Sequence, residues 1–207
     1  MKLTTLYLLS TILLAVSVAI WAVAARRRLA RFTTRDLTTL AMIMCLLHVV
    51  LLPFKSGLAN VPGLDALVYA IPYTVVLLVG LRLVPKPGAA SCIILGQGLL
   101  GQLLGRGLNP VMWPYHVWCA LSVEAVLLVT GPVLRTLPQA LALACLRGLV
   151  SNGYSYLLLA PLVWRQHYAA WYVEMKIGMG LVGCVIGAWL GMVLGPRVER
   201  AAANPVG

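Results

Sequence analysis

Acidic residues are scarce in this sequence, which limits the chemistry that the chain could perform. Five of its 207 residues are Asp or Glu, and they are scattered as Asp36, Asp65, Glu124, Glu174 and Glu199. Hydrolases and group transferases need a nucleophile beside a base, or paired acids that hold a metal, and this scatter contains no such pair. The GxSxG and HExxH motifs are missing, as is the GxxxxGK[ST] phosphate loop of ATPases. We therefore expect no enzyme, no resident cofactor and no ATPase activity.

Cysteine motifs are missing as well. The five cysteines form no CxxC pair. All of them fall in apolar segments, where a free Cys behaves as a small core residue. We expect neither a metal site nor a disulfide framework.

Charge of either sign is rare, since 10% of the residues are charged and 61% are hydrophobic. A soluble domain of this length could not bury that much apolar surface in one core. A helix needs about 20 apolar residues to cross about 30 Å of hydrocarbon, and seven segments qualify: 4–24, 37–54, 66–84, 88–105, 113–134, 139–163 and 172–195. Membrane β-strands would alternate apolar and polar residues, and these runs do not. We predict an all-α, polytopic membrane bundle with a six-helix core and one extra N-terminal transmembrane helix.

The basic residues give the chain a formal net charge of +11. They lie scattered at segment ends instead of on one face, so we expect no nucleic-acid partner. With the N-terminus outside, eleven of the 16 Lys and Arg residues, Arg147 among them, fall on the inner side and five on the outer side. This split obeys the positive-inside rule. It predicts a multi-pass protein of the cell membrane, embedded in lipid, with the N-terminus outside and the C-terminus cytoplasmic.

The chain divides into four parts by composition: an N-terminal transmembrane helix (1–25), a basic cytoplasmic linker (26–36), the six-helix core (37–196) and a cytoplasmic tail (197–207). The first part also has the charge and small-residue end of a cleavable signal peptide. Cleavage there would require the Arg-rich linker to be translocated, against the charge rule. We therefore favour a retained helix.

The last helix carries Gly183, Gly187, Gly191 and Gly195 at a spacing of four, which places them on one face. Such a stripe lets another helix approach closely. Packing inside the bundle and docking of a partner subunit both explain it. Gly183, Gly187 and Gly191 are accordingly candidates for a partner interface.

Polar and aromatic residues gather in GRGLNPVMWPYHVW, residues 105–118. Trp and Tyr prefer the membrane interface, but an aromatic belt does not explain Glu124, about two turns deeper than His116. An ionisable side chain at that depth faces the bundle interior or a wet cavity, although a structural hydrogen bond between helices is an alternative. We predict an outward-facing substrate pocket formed by Glu124, His116, Trp113, Tyr115, Asn152, Gln97, Tyr156 and Trp171. Aromatic rings facing a carboxylate suit a flat, nitrogen-rich or cationic ligand.

Three stretches between about residues 33 and 135 carry a family resemblance: TTRDLTTLAMIMCLLHVVL, LRLVPKPGAASCIILGQGLLGQLLG and WPYHVWCALSVEAVLL. They resemble the substrate-binding (S) subunits of energy-coupling factor (ECF) vitamin transporters, nearest to the YkoE-type, which is linked to thiamine or its hydroxymethylpyrimidine precursor. The resemblance implies capture of a small vitamin-like molecule outside, and toppling in the membrane when coupled to a transmembrane scaffold subunit and two ATPases. S subunits usually present a small-xxx-small motif to the scaffold, and Ala41 and Cys45 stand at the equivalent place. The extra N-terminal helix is not part of the six-helix plan.

Two other functions remain open from the residues alone. A structural or assembly subunit of a membrane complex would also use the glycine stripe, whereas an intramembrane enzyme lacks the residues it would need. Stabilisation by a small molecule separates a binding protein from an assembly subunit, because only the former gains stability from its ligand.

Overall fold

The computed structural model describes residues 32–57, 63–105 and 112–203 continuously, with isolated positions before residue 32. Within these ranges the chain is helical and contains no strand. The helices are α1 (Thr34–Gly57), α2 (Leu64–Leu83), α3 (Ala89–Leu103), α4 (Trp113–Thr130), α5 (Leu137–Tyr154) and α6 (Ala170–Ala203). A π-helical segment, Ser155–Trp164, continues α5. The all-α class and the six-helix core are confirmed, while the predicted helix at 1–25 and most of the linker lie outside the continuously described ranges.

The six helices form a closed ring in which each packs against two neighbours. The order around the ring is α1, α2, α6, α5, α4, α3. The contact between α2 and α6 is the most extensive, and α2 also touches α3 and α5 across the ring. Accordingly Tyr73, Leu77, Leu78 and Leu81 of α2 are at most 2% exposed. Burial of these side chains supplies much of the apolar core.

Because successive helices alternate in direction, the connections collect at two ends of the bundle. The cavity end, as we name it, contains Gly63, residues 104–105, Met112 and residues 165–169. The turn end contains residues 84–88 and 131–136, together with the start of α1 and the end of α6. Which end faces the cell exterior is a prediction of the charge rule.

Helix α1 begins at Thr34, three residues before the predicted start of the core at 37. The reason is a reciprocal cap between Thr33 and Asp36. The Thr33 backbone N–H donates to the Asp36 carboxylate at 2.7 Å, and the Asp36 N–H donates to the Thr33 hydroxyl at 3.2 Å. This arrangement has the form of a capping box. Asp36 also forms an ion pair with Lys86, which ties α1 to the turn after α2.

Helix α6 continues through Pro196 to Ala203, so residues 197–203 of the predicted tail are helical. The extension is held to the bundle by an ion pair in which Arg82 Nε lies 3.1 Å from Glu199 Oε1. Sequence composition marked this stretch as a tail because its apolar run ends near 195. The ion pair joins this extension to α2.

Among the described residues, three helical stretches are long and apolar enough to cross a membrane: Thr34–Pro53, Leu64–Leu83 and Ala170–Ala202. Helix α3 is apolar but has 15 residues. Helices α4 and α5 carry the polar residues that face the interior at the cavity end. The chain therefore has the spans of a multi-pass membrane protein.

The π-helical segment departs from the single continuous helix predicted over 139–163. Pro161 lies inside it. Proline has no N–H and its ring clashes with the carbonyl four residues earlier, and the wider π turn relieves this conflict. The segment ends at Arg165, whose positive φ of 53° turns the chain, and the Gln166 N–H closes the end on the Ala160 carbonyl at 2.9 Å. Segments of this kind frequently occur at functional sites.

Candidate functional site

Two adjoining cavities open at the cavity end: the main cavity lies between α2, α4, α5 and the π-helical segment, and the side cavity lies between α2, α3, α4 and α5. The main cavity has a volume of about 510 Å³ and the side cavity about 200 Å³. Tyr69, Met112, Tyr115 and Arg147 line both, so the two spaces share one wall. A concave site with mostly aromatic and apolar walls and a few placed polar groups is the usual form of a small-molecule site.

Arg147 stands in this shared wall. It is 6% exposed, and its guanidinium carbon lies 3.5 Å from the centre of the Tyr73 ring. Its Nε atom has no hydrogen-bond partner among the described residues. The ring supplies a cation–π contact, but a ring quadrupole is a weaker counterpart than an anion. The guanidinium therefore keeps unused donor capacity at the cavity wall.

One helical turn after Arg147, Ser151 faces the same cavity. Its hydroxyl oxygen lies 2.8 Å from the Tyr115 hydroxyl, which joins α5 to α4. Asn152 lines the main cavity beside it, and its Nδ2 donates to the Gly148 carbonyl at 3.0 Å. These groups place hydroxyls and an amide within the same wall as the guanidinium.

The rim of the main cavity holds an ion pair between α2 and α6. Asp65 lines the cavity and accepts a hydrogen bond from Lys176, which is 3% exposed. The Lys176 ammonium also lies 5.3 Å from the centre of the Tyr172 ring. The Asp65 charge is therefore already neutralised within the protein.

The side cavity is lined by amides and by His116. Gln97 and Gln102 of α3 are both buried there. The His116 ring packs directly on α3, since a Cβ added to Gly98 would lie 2.6 Å from its Nδ1. Gly98 is thus required for this close approach of α3 and α4.

The structure brings together five of the eight predicted site residues. Tyr115, Asn152 and Tyr156 line the main cavity, and Gln97, His116 and again Tyr115 line the side cavity. Trp113 contacts the His116 ring edge-on at 6.3 Å, outside the wall of either cavity. Trp171 is 65% exposed and packs against Tyr172. The last two predictions of cavity contact are therefore wrong in position, although both residues lie at the same end of the bundle.

Glu124 is placed at the turn end, so its predicted position in the cavity is wrong. Its carboxylate accepts hydrogen bonds from the Gly88 N–H at 3.2 Å, the Ser91 N–H at 3.0 Å and the Ser91 hydroxyl at 3.2 Å. These donors are the first backbone amides of α3, where the helix leaves unsatisfied N–H groups and a partial positive charge. Glu124 caps α3 from α4, which is the structural hydrogen bond that the sequence left as an alternative.

The glycine stripe is buried inside the bundle, which corrects its assignment to a partner interface. A Cβ added to Gly183 would lie 2.5 Å from the Leu67 carbonyl oxygen, and one added to Gly187 would lie 2.8 Å from that of Ile71. At Gly191 it would lie 2.9 Å from the Leu78 side chain. The stripe therefore seats α6 on α2.

The remaining interface candidates, Ala41 and Cys45, are exposed on α1. They form part of an apolar face that includes Met42 and Val49, which are 68% and 60% exposed. Exposure of this face is compatible with either lipid or a scaffold subunit. The interface at Ala41 and Cys45 stays a prediction.

Sequence reasoning missed the residue at the centre of the site. It assigned Arg147 to the inner membrane surface, whereas the structure buries it in the shared wall. The signal was available: Arg147 lies ten residues into α5, about 15 Å along the axis, which is too deep for a side chain to reach the helix start. Removing it from the inner side leaves ten basic residues against five, so the charge bias persists. Tyr69 and Ser151 were also missed, because an apolar helix gives no sign of which face meets a cavity.

Among the described residues, no three His, Cys, Asp or Glu side chains come together as a metal site would require. The polar groups that line the two cavities are hydroxyls, amides, the His116 imidazole, the Asp65 carboxylate paired with Lys176, and the Arg147 guanidinium, beside several aromatic rings. This set fits binding and orientation of an organic molecule.

No protein-family model matches the sequence, and no curated protein sequence matches it. Among solved structures, the chain is similar to the crystal structure of an S-component of an ECF transporter. The TM-score is 0.59 and the sequence identity 22%, and the similarity covers 84% of this chain and 86% of that one. At this identity the likeness shows that the two chains share a fold.

Proposed function

We propose that this chain is the substrate-binding subunit of an ECF-type importer, which captures a small vitamin-like molecule in the main cavity. The observation that carries the proposal is the shared fold with an S-component over 84% of the chain, combined with a cavity of about 510 Å³ at one end of the bundle. In this proposal the chain works with a transmembrane scaffold subunit and two ATPases. The sequence contains no phosphate loop of its own.

The sequence resemblance also suggests thiamine or its pyrimidine precursor as the cargo. Neither the fold nor the cavity walls support this finer assignment. The only acid that lines the main cavity among the described residues is Asp65, and Lys176 already pairs with it. A cationic ligand would therefore find a guanidinium and no free carboxylate.

The orientation follows from the same proposal. The cavity end would face the cell exterior, with the N-terminus outside and the C-terminus in the cytoplasm, as the positive-inside rule predicts. Loading from outside requires that the cavity open on that side.

The experiment compares small molecules that co-purify with three forms of the protein. Ala66 lines the main cavity, so Ala66→Phe would fill it, whereas Ala125 is exposed on α4 and Ala125→Phe is the matched control. Each protein is purified in mild detergent and denatured, and the released molecules are identified by mass spectrometry. We expect a compound that is present with the parent and with Ala125→Phe but lost from Ala66→Phe.

Equal recovery from Ala66→Phe would place the binding site elsewhere. No compound from any form, and no thermal stabilisation by growth-medium extract, would favour an assembly subunit. The partner claim is tested by affinity purification from native membranes, where a scaffold and ATPases should be recovered. Uptake by the chain alone in reconstituted vesicles would contradict it.

A further inference from the structure

The Arg147 charge has no carboxylate counterpart in this protein. The chain has five acidic residues, and all five lie in described positions and are engaged or exposed elsewhere. Three of them form ion pairs with other basic residues: Asp36 with Lys86, Asp65 with Lys176, and Glu199 with Arg82. Glu124 accepts hydrogen bonds from the Gly88 and Ser91 backbone amides. Glu174 is exposed. The compensating anion, if one binds, must come from outside the chain.

Burial makes this lack of an anion costly. A buried charge destabilises a protein unless it is paired and hydrogen-bonded, and Arg147 is 6% exposed with an Nε that has no partner among the described residues. Its contact with Tyr73 offsets only part of the cost. A guanidinium that lines two cavities in this condition is suited to receive an anionic ligand.

The number of charges limits the ligand further. Among the described residues of the main-cavity wall, Asp65 is neutralised by Lys176, which leaves Arg147 as the one uncompensated positive charge. One cation matches one carboxylate, and the planar fork of Arg binds a carboxylate through two parallel hydrogen bonds. A phosphate ester would bring a second negative charge, and the described part of the wall offers no second unpaired cation to meet it.

We infer that the substrate of this cavity is a monocarboxylate with a flat or apolar body, whose carboxylate binds Arg147. The inference rests on the proposed function. The hydroxyls of Ser151 and Tyr115 share one hydrogen bond of 2.8 Å in the same wall, which leaves one hydroxyl proton of the pair free to donate to the same anion. The rings of Tyr69, Tyr115 and Tyr156 line the space for the body of the molecule.

The first test does not require that the ligand be identified. Growth-medium extract is separated by ion exchange at neutral pH into anionic, neutral and cationic pools, and each pool is added to the purified chain. The measurement is the shift of the thermal unfolding midpoint. We expect the anionic pool to stabilise the protein, and the effect to survive treatment of that pool with a phosphatase.

Each outcome has a distinct meaning. Stabilisation by the neutral or cationic pool alone would overturn the carboxylate inference and leave the proposed function intact. Loss of the effect after phosphatase treatment would replace the carboxylate by a phosphate ester and so overturn the inference. No stabilisation by any pool would contradict the proposed function itself, and the inference would fall with it.

The second test removes the guanidinium. Arg147→Met should leave the ligand-free protein at least as stable as the parent, because it deletes an uncompensated buried charge. It should also weaken binding of the ligand in the stabilising extract pool about 10- to 100-fold. Arg135→Gln is the matched control, since Arg135 is exposed at the turn end. Arg147→Lys keeps the positive charge but lacks the planar guanidinium that can donate two parallel hydrogen bonds, so it should lose less binding affinity than Arg147→Met. Unchanged ligand stabilisation in Arg147→Met would refute Arg147 as the carboxylate-binding residue. If that variant does not fold, the pool assay on the parent still decides the charge of the ligand.

Discussion

Replacement of Gly187 by Ala tests the packing of α6 on α2. The added Cβ would lie 2.8 Å from the Ile71 carbonyl oxygen and 2.8 Å from Thr74 Cβ. Carbon atoms are at their optimal separation only from about 3.5 Å, so the two helices must move apart. Ile71 contributes backbone atoms, which cannot rotate out of the way as the end of a side chain can.

The expected cost follows from two opposing effects. Overpacking a well-packed core costs about 1–3 kcal/mol, whereas Gly→Ala within a helix gains up to about 1 kcal/mol from propensity. Gly178→Ala is the control that isolates the gain, because Gly178 is exposed on the same helix and its added Cβ would meet no atom within 4 Å. The difference between the two variants should therefore be about 1–3 kcal/mol. At about 2–4 °C per kcal/mol for a chain of this size, the unfolding midpoints should differ by about 2–12 °C.

The chain provides its own reporters for the assay. Cys119 and Cys184 are buried free thiols, so a thiol-reactive fluorophore labels them only as the bundle opens on heating in detergent. Cys45 is exposed and gives a constant baseline. Equal midpoints for Gly187→Ala and Gly178→Ala would refute the packing of the stripe on α2. Partner loss at unchanged stability would restore the docking explanation.

Two further predictions concern charge and topology. Glu124→Gln should destabilise the ligand-free protein by about 1–2 kcal/mol, because the negative charge that accepts hydrogen bonds from the α3 amides is lost. Stabilisation by the extract pool that binds the parent should stay unchanged, and thermal unfolding with and without that pool measures both effects. Loss of the ligand effect alone would return Glu124 to the binding site. With native cysteines replaced, Lys2→Cys should react with an impermeant thiol reagent added to intact cells and Arg200→Cys should not; the reverse labelling would place the cavity end in the cytoplasm.

The sequence alone was sufficient to predict the six helices, because each is an apolar run and the runs are separated from one another by Pro, Gly or charged residues. It also located the cavity end, since Tyr115, Asn152 and Tyr156 cluster there in both sequence and structure. The faces of the helices could not be predicted in the same way. Nearly every position on these helices is apolar, so periodicity does not separate an interior face from a lipid-facing one.

The glycine stripe illustrates a second limit. A spacing of four establishes that some helix approaches closely, but not which one. Docking on a partner and docking on α2 demand the same residues. Only the position of Leu67 and Ile71 opposite Gly183 and Gly187 distinguishes the two.

The two buried charges, Glu124 and Arg147, show why depth in the membrane does not by itself identify a site. Both are costly in an apolar interior, and the sequence favoured the acid because Glu124 lies deep in a predicted helix, whereas Arg147 was assigned to the inner membrane surface. Both carboxylate oxygens of Glu124 accept hydrogen bonds from the amides and hydroxyl at the start of α3, so its charge is stabilised within the protein. Arg147 receives one aromatic face and keeps an unpartnered Nε beside a cavity, within the part of the chain that the structure describes. A ligand gains most where the protein has left a charge uncompensated, and that condition holds at Arg147 and not at Glu124.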